Sequence, residues 1–246
     1  MDRLIYTALS GMQASMTRQR VIASNMANAQ TIGFRAEQFD QRPVTITGDG
    51  LEARAMQEAG VRSADMASGE IVETGRGLDV SVDGEALIAV QAPDGSEAYT
   101  RRGDLSLSAD GLLVNGEGYP VLGDAGPISL PPTGKPVIAP DGTITVADPA
   151  APDQPPQELG RIKLAGWQGS PIAKGLDGLF RVEGGGVLPR DDAATVRTGS
   201  LEQSNVNPTE VLVEMIDAQR LFAMRSKLIA TARDVDEGGS QLLRMS

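Results

Sequence analysis

The chain carries 33 acidic side chains against 22 basic ones and has neither histidine nor cysteine. Without cysteine there is no disulfide framework and no thiolate nucleophile. Without histidine, the commonest general base and the commonest zinc ligand are both missing. What stays open is carboxylate chemistry: an Asp or Glu pair working as acid and base, or an oxygen-lined calcium loop. Most of the acidic residues stand in Asp-Gly turn pairs or on polar stretches, where carboxylates are solvated. Asp83-Gly84-Glu85 lacks the ligand spacing of an EF-hand. Gly184-Gly185-Gly186 is not followed by the Lys-Ser/Thr pair that opens a helix after a phosphate loop. The isolated pair Arg101-Arg102 reads as one half of an interface salt bridge rather than as an anion site. No catalytic residue, cofactor or metal ligand is expected.

Charge narrows the partners. A net charge of −11 argues against nucleic acid, whose phosphates need clustered cations, and against an anionic membrane surface. No apolar run approaches the ~20 residues of a membrane span, so no direct membrane insertion is expected. At the start, Leu4 and Ile5 are followed at once by Thr7, Ser10 and Gln13, which leaves no apolar core for a cleaved signal peptide. Any export is expected to use a route without such cleavage.

With chemistry set aside, the elements themselves become the informative feature. Ile5, Leu9, Met12, Met16, Gln19, Ala23 and Met26 follow one another at alternating steps of four and three, and so do Val211, Met215, Ala218, Phe222, Arg225, Ile229 and Ala232. That spacing draws one narrow apolar stripe along a helix, and such a stripe must be covered by another helix. Each stripe contains one polar residue, Gln19 or Arg225, of the kind that sets register at some cost in stability. The first helix is expected over about 2–28, with Gly11 and Ser15 permitting a neighbouring helix to come close. The second has a start signal in Asn207 as cap, Pro208 at the first helical position and Glu210 three residues after the cap. It is expected to run to about Asp236, with Gly238-Gly239 weakening it and a short tail beyond.

Between the helices the signal is β. Leu78 to Val82 alternates, Ala86 to Val90 is a buried-looking run, and Arg161 to Ala165 resumes a strand. Asp83-Gly84, Asp94-Gly95, Asp110-Gly111, Asn115-Gly116, Asp141-Gly142 and Asp177-Gly178 supply hairpin turns. Asp148 to Gln157 reads as an exposed loop. Residues 36–75 lack a period and read as an extended connector with little core of its own, turning at Gly48-Asp49-Gly50. The expected fold is therefore α+β: terminal coiled-coil helices paired with each other (1–35 with 205–246), an extended connector (36–75 with 190–204), and an all-β outer domain of short strands and hairpins (76–189).

One segment is more specific than any period. Ala23-Ser24-Asn25-Met26-Ala27-Asn28-Ala29-Gln30-Thr31-Ile32-Gly33-Phe34 resembles the Ala-Ser-Asn-x-Ala-Asn-x-x-Thr-x-Gly-Phe signature of bacterial flagellar axial proteins, the rod and hook subunits; Ile32 stands where that family usually has Pro. Thr74-Gly75 with Leu78 to Gly84 is similar to the family's first β block, with Ala86-Leu87-Ile88 where Gly-Phe-Phe usually follows. Tyr99 to Asp104 with Gly111 to Val114 matches the next block, and Gly199 to Asn207 with Glu214-Met215 resembles the C-terminal signature. The two chain ends look most like the proximal rod subunits, with the distal rod subunits as nearest competitors. The resemblance implies a structural subunit of the rod that crosses the periplasm in the flagellar basal body. It implies polymerisation through the terminal helices, torque transmission around an export channel, and export by the flagellum's own type III apparatus without signal cleavage. Expected partners are other proximal and distal rod subunits and copies of this chain. The two stripes form the expected assembly seam, and Ser24, Asn25, Asn28, Thr31, Gly33 and Phe34 the signature loop.

Readings from other classes predict different observations. A distal rod or hook-type subunit would share the helices. A secreted β-rich binding module with a helical oligomerisation stalk would show a concave ligand surface. A carboxylate hydrolase would lose turnover, with assembly intact, on changing one Asp or Glu.

Overall fold

The computed structural model describes residues 2–45, 55–131, 134–147 and 155–244. The chain divides into two units: Met1–Ala27 with Glu37–Ser63 and Asn207–Ser246, and Asn28–Ala36 with Ala64–Val206. The expected turn at Gly48-Asp49-Gly50, most of the loop from Asp148, and the side-chain surroundings of Ile5 and Ala232 lie outside the described residues.

The first unit holds helix α1 (Asp2–Ala27), helix α2 (Pro208–Arg244), the strand β1 (Glu37–Thr45) and all but the last residue of β2 (Ala55–Ala64). Asn207 caps α2 as the sequence predicts: its side-chain oxygen accepts from the amides of Thr209 at 3.1 Å and Glu210 at 3.5 Å. The far end of α2 does not stop near Asp236. It runs through Gly238-Gly239 to Arg244, because glycine costs only about 1 kcal/mol per residue against alanine and still contributes its own amide and carbonyl to the helix ladder.

The two helices pack against each other in antiparallel sense. Gln19 donates to the carbonyl of Ala218 at 3.4 Å, and the Arg225 guanidinium donates to the Gly11 carbonyl and the Ser15 hydroxyl. Both polar residues of the stripes therefore make the cross-helix hydrogen bonds, and Arg225 lies where Gly11 and Ser15 leave room.

Residues 37–45 and 55–64, expected as connector, pair with each other in a two-stranded sheet. Backbone pairing does not require the apolar alternation whose absence has this stretch read as an extended connector. Asn25, near the end of α1, accepts the Glu37 amide at 2.8 Å and donates to the Glu37 carbonyl at 3.0 Å. One side chain thus completes the hydrogen bonding at the first residue of β1, and Ser24 adds a bond to the Glu37 carboxylate at 3.0 Å.

The second unit is built from short antiparallel strands. Its largest sheet has five strands, in the order Leu164–Ala165, β5 (Leu87–Gln91), β6 (Glu97–Thr100), Phe180–Val182, Ile172–Lys174. β3 (Ile71–Glu73) pairs with Ser200–Glu202, and β4 (Val80–Asp83) pairs with Thr195–Thr198. The returning stretch 195–202, also expected as connector, is thus strand paired to the start of the β region. Lys135–Ile138, Thr143–Ala147 and Gln157–Arg161 form a three-stranded sheet.

One core gathers Val80, Ile88, Val90, Leu105, Leu113, Val121, Ile144 and Leu179, and a smaller one gathers Leu87, Tyr99, Phe180 and Leu188. β5 feeds both, which is why Leu87 to Val90 is buried without alternation. The Tyr99 hydroxyl donates to Glu97 at 2.8 Å and accepts the Leu188 amide at 2.6 Å. Burial, reinforced by Glu97, raises the phenol well above its usual range.

Five of the six predicted turn glycines have positive φ. The exception is Gly116. There the positive φ falls two residues later, at Gly118, because the Asn115 side chain accepts the amides of Glu117 and Tyr119 and closes a wider turn.

Candidate functional site

The chain passes between its units at 27/28, 36/37, 63/64 and 206/207. Within the second unit, the segments next to these crossings are bonded to one another. At the centre lies Glu202, with a side chain only 2% exposed. Its Oε1 meets the Arg35 guanidinium at 2.8 Å and accepts the Gly69 amide at 2.9 Å. Its Oε2 accepts from Arg101 Nε at 2.9 Å. Arg101, as buried as Glu202, also donates to the carbonyls of Gly84 and Ala86, and Arg35 donates to the carbonyl of Ala67. Burial lowers both guanidinium pKa values, and the Glu202 charge opposes that shift. Two buried cations share one buried anion, an arrangement that holds only while each has its partner.

Asn205 completes the cluster. Its side chain accepts the Ala36 amide at 2.7 Å and donates to the carbonyls of Asp65 and Ala67, each at 2.9 Å. The Asp65 amide donates to the Ala36 carbonyl at 2.7 Å. Segments 33–36, 65–69 and 202–205 are thereby cross-linked by the side chains of Arg35, Glu202 and Asn205, with a backbone bond from the Asn205 amide to the Phe34 carbonyl at 3.3 Å.

The signature loop enters this cluster through its backbone. Thr31 bonds Asn28 through both amide and hydroxyl, the Phe34 amide donates to the Thr31 carbonyl, and the Gly33 amide donates to the Glu202 carbonyl at 2.8 Å. Lys174 sits over the Phe34 ring, 3.3 Å from its centroid. Gly33 has φ +67°, and a Cβ there would lie 2.4 Å from the carbonyl carbon of Arg101 and 2.5 Å from the amide nitrogen of Arg102. No side chain fits, and the contact is backbone, which cannot swing aside. Gly33→Ala is therefore expected to destabilise the second unit by more than the ~1 kcal/mol of a left-handed alanine. A lowered unfolding midpoint in urea checks it, and an unchanged midpoint would refute the close approach.

Sequence reasoning placed Ser24 and Asn25 in the same loop as Asn28, Thr31, Gly33 and Phe34. The structure puts the first two in the first unit, on Glu37, and the rest in the second. The Arg101-Arg102 pair is not half of an interface bridge: Arg101 is buried on Glu202, and Arg102 pairs with Asp104 and Glu117. Periodicity had no access to this, since the two neighbouring arginines take different partners. The residues that reasoning missed are Arg35, Glu202 and Asn205. Glu202 and Asn205 lie inside the C-terminal string and Arg35 directly follows the signature string; a charged residue between apolar neighbours (Arg35, between Phe34 and Ala36) is the signal the sequence offers.

Of the α1 stripe, Leu9, Met16 and Ala23 are exposed, while Met12, Gln19 and Met26 are half-buried. The residues that α1 buries are Ser10, Ala14, Ser15, Val21, Ile22 and Asn25. Along α2, Val211 and Ala218 are buried, and Met215, Phe222, Arg225 and Ile229 are half-buried. No described helix is long and apolar enough to cross a membrane. Carboxylates near the turns are engaged in structural pairs, such as Asp79 with Thr74 and Arg76, and Asp177 with Arg181.

Three family models match the chain: the flagella basal body rod protein over residues 5–35, the flagellar hook protein FlgE/F/G D1 domain over 81–146, and the flagellar basal body rod FlgEFG protein C-terminal over 197–242. The chain is 38% identical to the flagellar basal-body rod protein FlgF of Salmonella typhimurium and 40% identical to that of Escherichia coli, each over 100% of both chains. It is 31% identical to the flagellar basal-body rod protein FlgG of Bacillus subtilis, over 96% of this chain and 97% of that one. The chain belongs to the flagellar basal-body rod family. As a member of that family it is a structural rod subunit and not an enzyme. Family membership also implies assembly with other rod and hook components. The three matched stretches each contribute one member of the buried cluster: Arg35 from the first, Arg101 from the second and Glu202 from the third. The cluster is the point at which the three family segments are tied together.

Proposed function

We propose that this chain is a proximal rod subunit that polymerises through its terminal helices, transmitting torque and surrounding an export channel. The observation that carries the reading is a second apolar face on α2. At 100° per residue, Val211, Met215, Ala218, Phe222, Arg225 and Ile229 fall on the side toward α1. Leu212, Val213, Ile216, Met224, Leu228 and Val235 fall on the other side and are exposed. A helix with two apolar faces has one to spare after pairing within its own chain. On α1 the line Leu9, Met16, Ala23 is likewise uncovered. The seam then consists of coiled-coil-like pairing inside the chain and further helix packing between chains. A heterologous contact that does not close into a ring produces a helical filament.

The partners are other rod subunits, proximal and distal, together with copies of this chain. Export proceeds through the flagellar type III apparatus without signal cleavage, and the assembled rod crosses the periplasm. Two FlgF proteins at 38–40% identity over their full length support the resemblance of the chain ends to proximal rod subunits, whereas other FlgF proteins, at 26–32%, match no better than FlgG proteins at 30–32%. Isolated basal bodies probed with an antibody to the second unit are expected to contain the chain. Its absence from them, with the protein free in the medium, would sink the proposal and favour the secreted binding module.

Phe222→Asp places a charge on the α1-facing side of α2. It is expected to abolish swimming on soft agar and to lower helix content by circular dichroism, leaving the near-ultraviolet signal of the second unit unchanged. Normal motility in this variant would remove Phe222 from the seam.

A further inference from the structure

We propose that the Arg35–Glu202–Arg101 cluster and Asn205 form a clasp whose task is to hold the two chain exits together, so that α1 and α2 meet as if joined by a short tether. Without such closure, the two helices are the ends of roughly 180 residues of intervening chain. With it, α1 leaves the clasp a few residues before Gly33 and α2 begins just after Asn205, so the connecting path shrinks to about ten residues. Loop-closure cost scales with the 3/2 power of length, so the local concentration of one helix around the other rises by about 80-fold at the limit.

The bonding pattern fits closure better than ordinary core packing. Arg35 and Asn205 tie segment 33–36 to segments 65–69 and 202–205. The Arg101–Glu202 pair remains complete inside the β unit without Arg35. The clasp is thus partly separable: Arg101 and Glu202 serve the unit itself, and Arg35 and Asn205 serve the crossing segments.

The sequence has no cysteine, so Gln19→Cys with Ala218→Cys gives the full chain a single thiol pair at a cross-helix contact. Equilibrating that purified chain with reduced and oxidised glutathione reads the effective concentration of α1 for α2 directly. Adding Arg35→Ala and Asn205→Ala is expected to lower it several-fold, short of the ~80-fold limit because the backbone bonds from the Gly33 amide to Glu202 and from the Asn205 amide to Phe34 remain. Inserting four glycines after Val206 leaves the clasp intact and is expected to lower it less than twofold. An unchanged value in the Arg35→Ala/Asn205→Ala chain would overturn the proposal, and so would an insertion effect as large as that of the double substitution. Near-ultraviolet circular dichroism from Trp167 and Tyr99 reports whether the second unit stays folded. Should the double variant lose that signal, Asn205→Ala alone, which keeps both ion pairs, carries the test: a several-fold fall supports the clasp and no fall overturns it. The readout is on the lone chain, so its failure leaves the assembly reading untouched, and failure to find the chain in basal bodies leaves the clasp untouched.

Discussion

Glu202→Ala is expected to destabilise the second unit by about 3–5 kcal/mol, the usual cost of stranding buried charge. The carboxylate pairs directly with both guanidiniums, Arg35 and Arg101, whose side chains are 2% and 1% exposed. It also accepts the Gly69 amide. Removing it leaves two like charges side by side in a place that water does not reach, and a backbone donor without an acceptor. Against a typical domain stability of about 5–15 kcal/mol, the loss is about a fifth of the total or more. Urea unfolding followed by the fluorescence of Trp167 should show a large fall in midpoint at constant slope. Arg35→Ala should cost much less, because Arg101 and Glu202 remain as a complete pair. If the two variants were equally destabilised, or if Glu202→Ala shifted stability by less than about 1 kcal/mol, the cluster would have to be open to solvent, contrary to its burial.

The contrast between those two variants also explains why the cluster was hard to see beforehand. The helices announce themselves because their apolar spacing follows from helix geometry, and the Asn207-Pro208 cap behaves as its chemistry requires. The turns announce themselves because glycine after Asp has few other uses, and five of six take the positive φ that those pairs supply. The β1–β2 pairing was illegible for the opposite reason. Its pairing is a backbone property, and its first residue is completed by the Asn25 side chain rather than by an apolar pattern. The cluster joins residues about a hundred positions apart, so no local window contains two of its members except Glu202 and Asn205. Charge in a sequence is read as surface by default, and only the fold turns Arg35, Arg101 and Glu202 inward. In the first half of α1, small residues lie where the helix is buried, at Ser10, Ala14 and Ser15, and only its second half buries larger ones, Val21 and Ile22. The larger apolar side chains at Leu9 and Met16 stay outside. A heptad rule that looks for the largest apolar residues therefore finds an uncovered line beside the covered one.

The uncovered face of α2 carries the second large effect. Ile216 and Leu228 are 49% and 69% exposed on the face of α2 turned away from α1. A charge at either position costs the lone chain little, within about 0.5 kcal/mol for an exposed site. In a rod the same position would be covered by a neighbouring helix. Ile216→Asp would then lose up to about 1.5–3 kcal/mol of apolar burial and add the desolvation of a carboxylate that has no partner. Repeated at each subunit contact, the expected result is loss of rods and of swimming, with thermal unfolding of the purified chain unchanged. Leu228→Asp should behave alike. Leu176 supplies the control, being more exposed than either at 111% but standing on a turn of the second unit rather than on a helix. Leu176→Asp should leave motility intact. The pattern that sinks the seam is motile cells carrying Ile216→Asp and Leu228→Asp. Non-motile cells whose purified chain is also unfolded would instead place these two side chains in the core of the lone molecule, which their exposure contradicts.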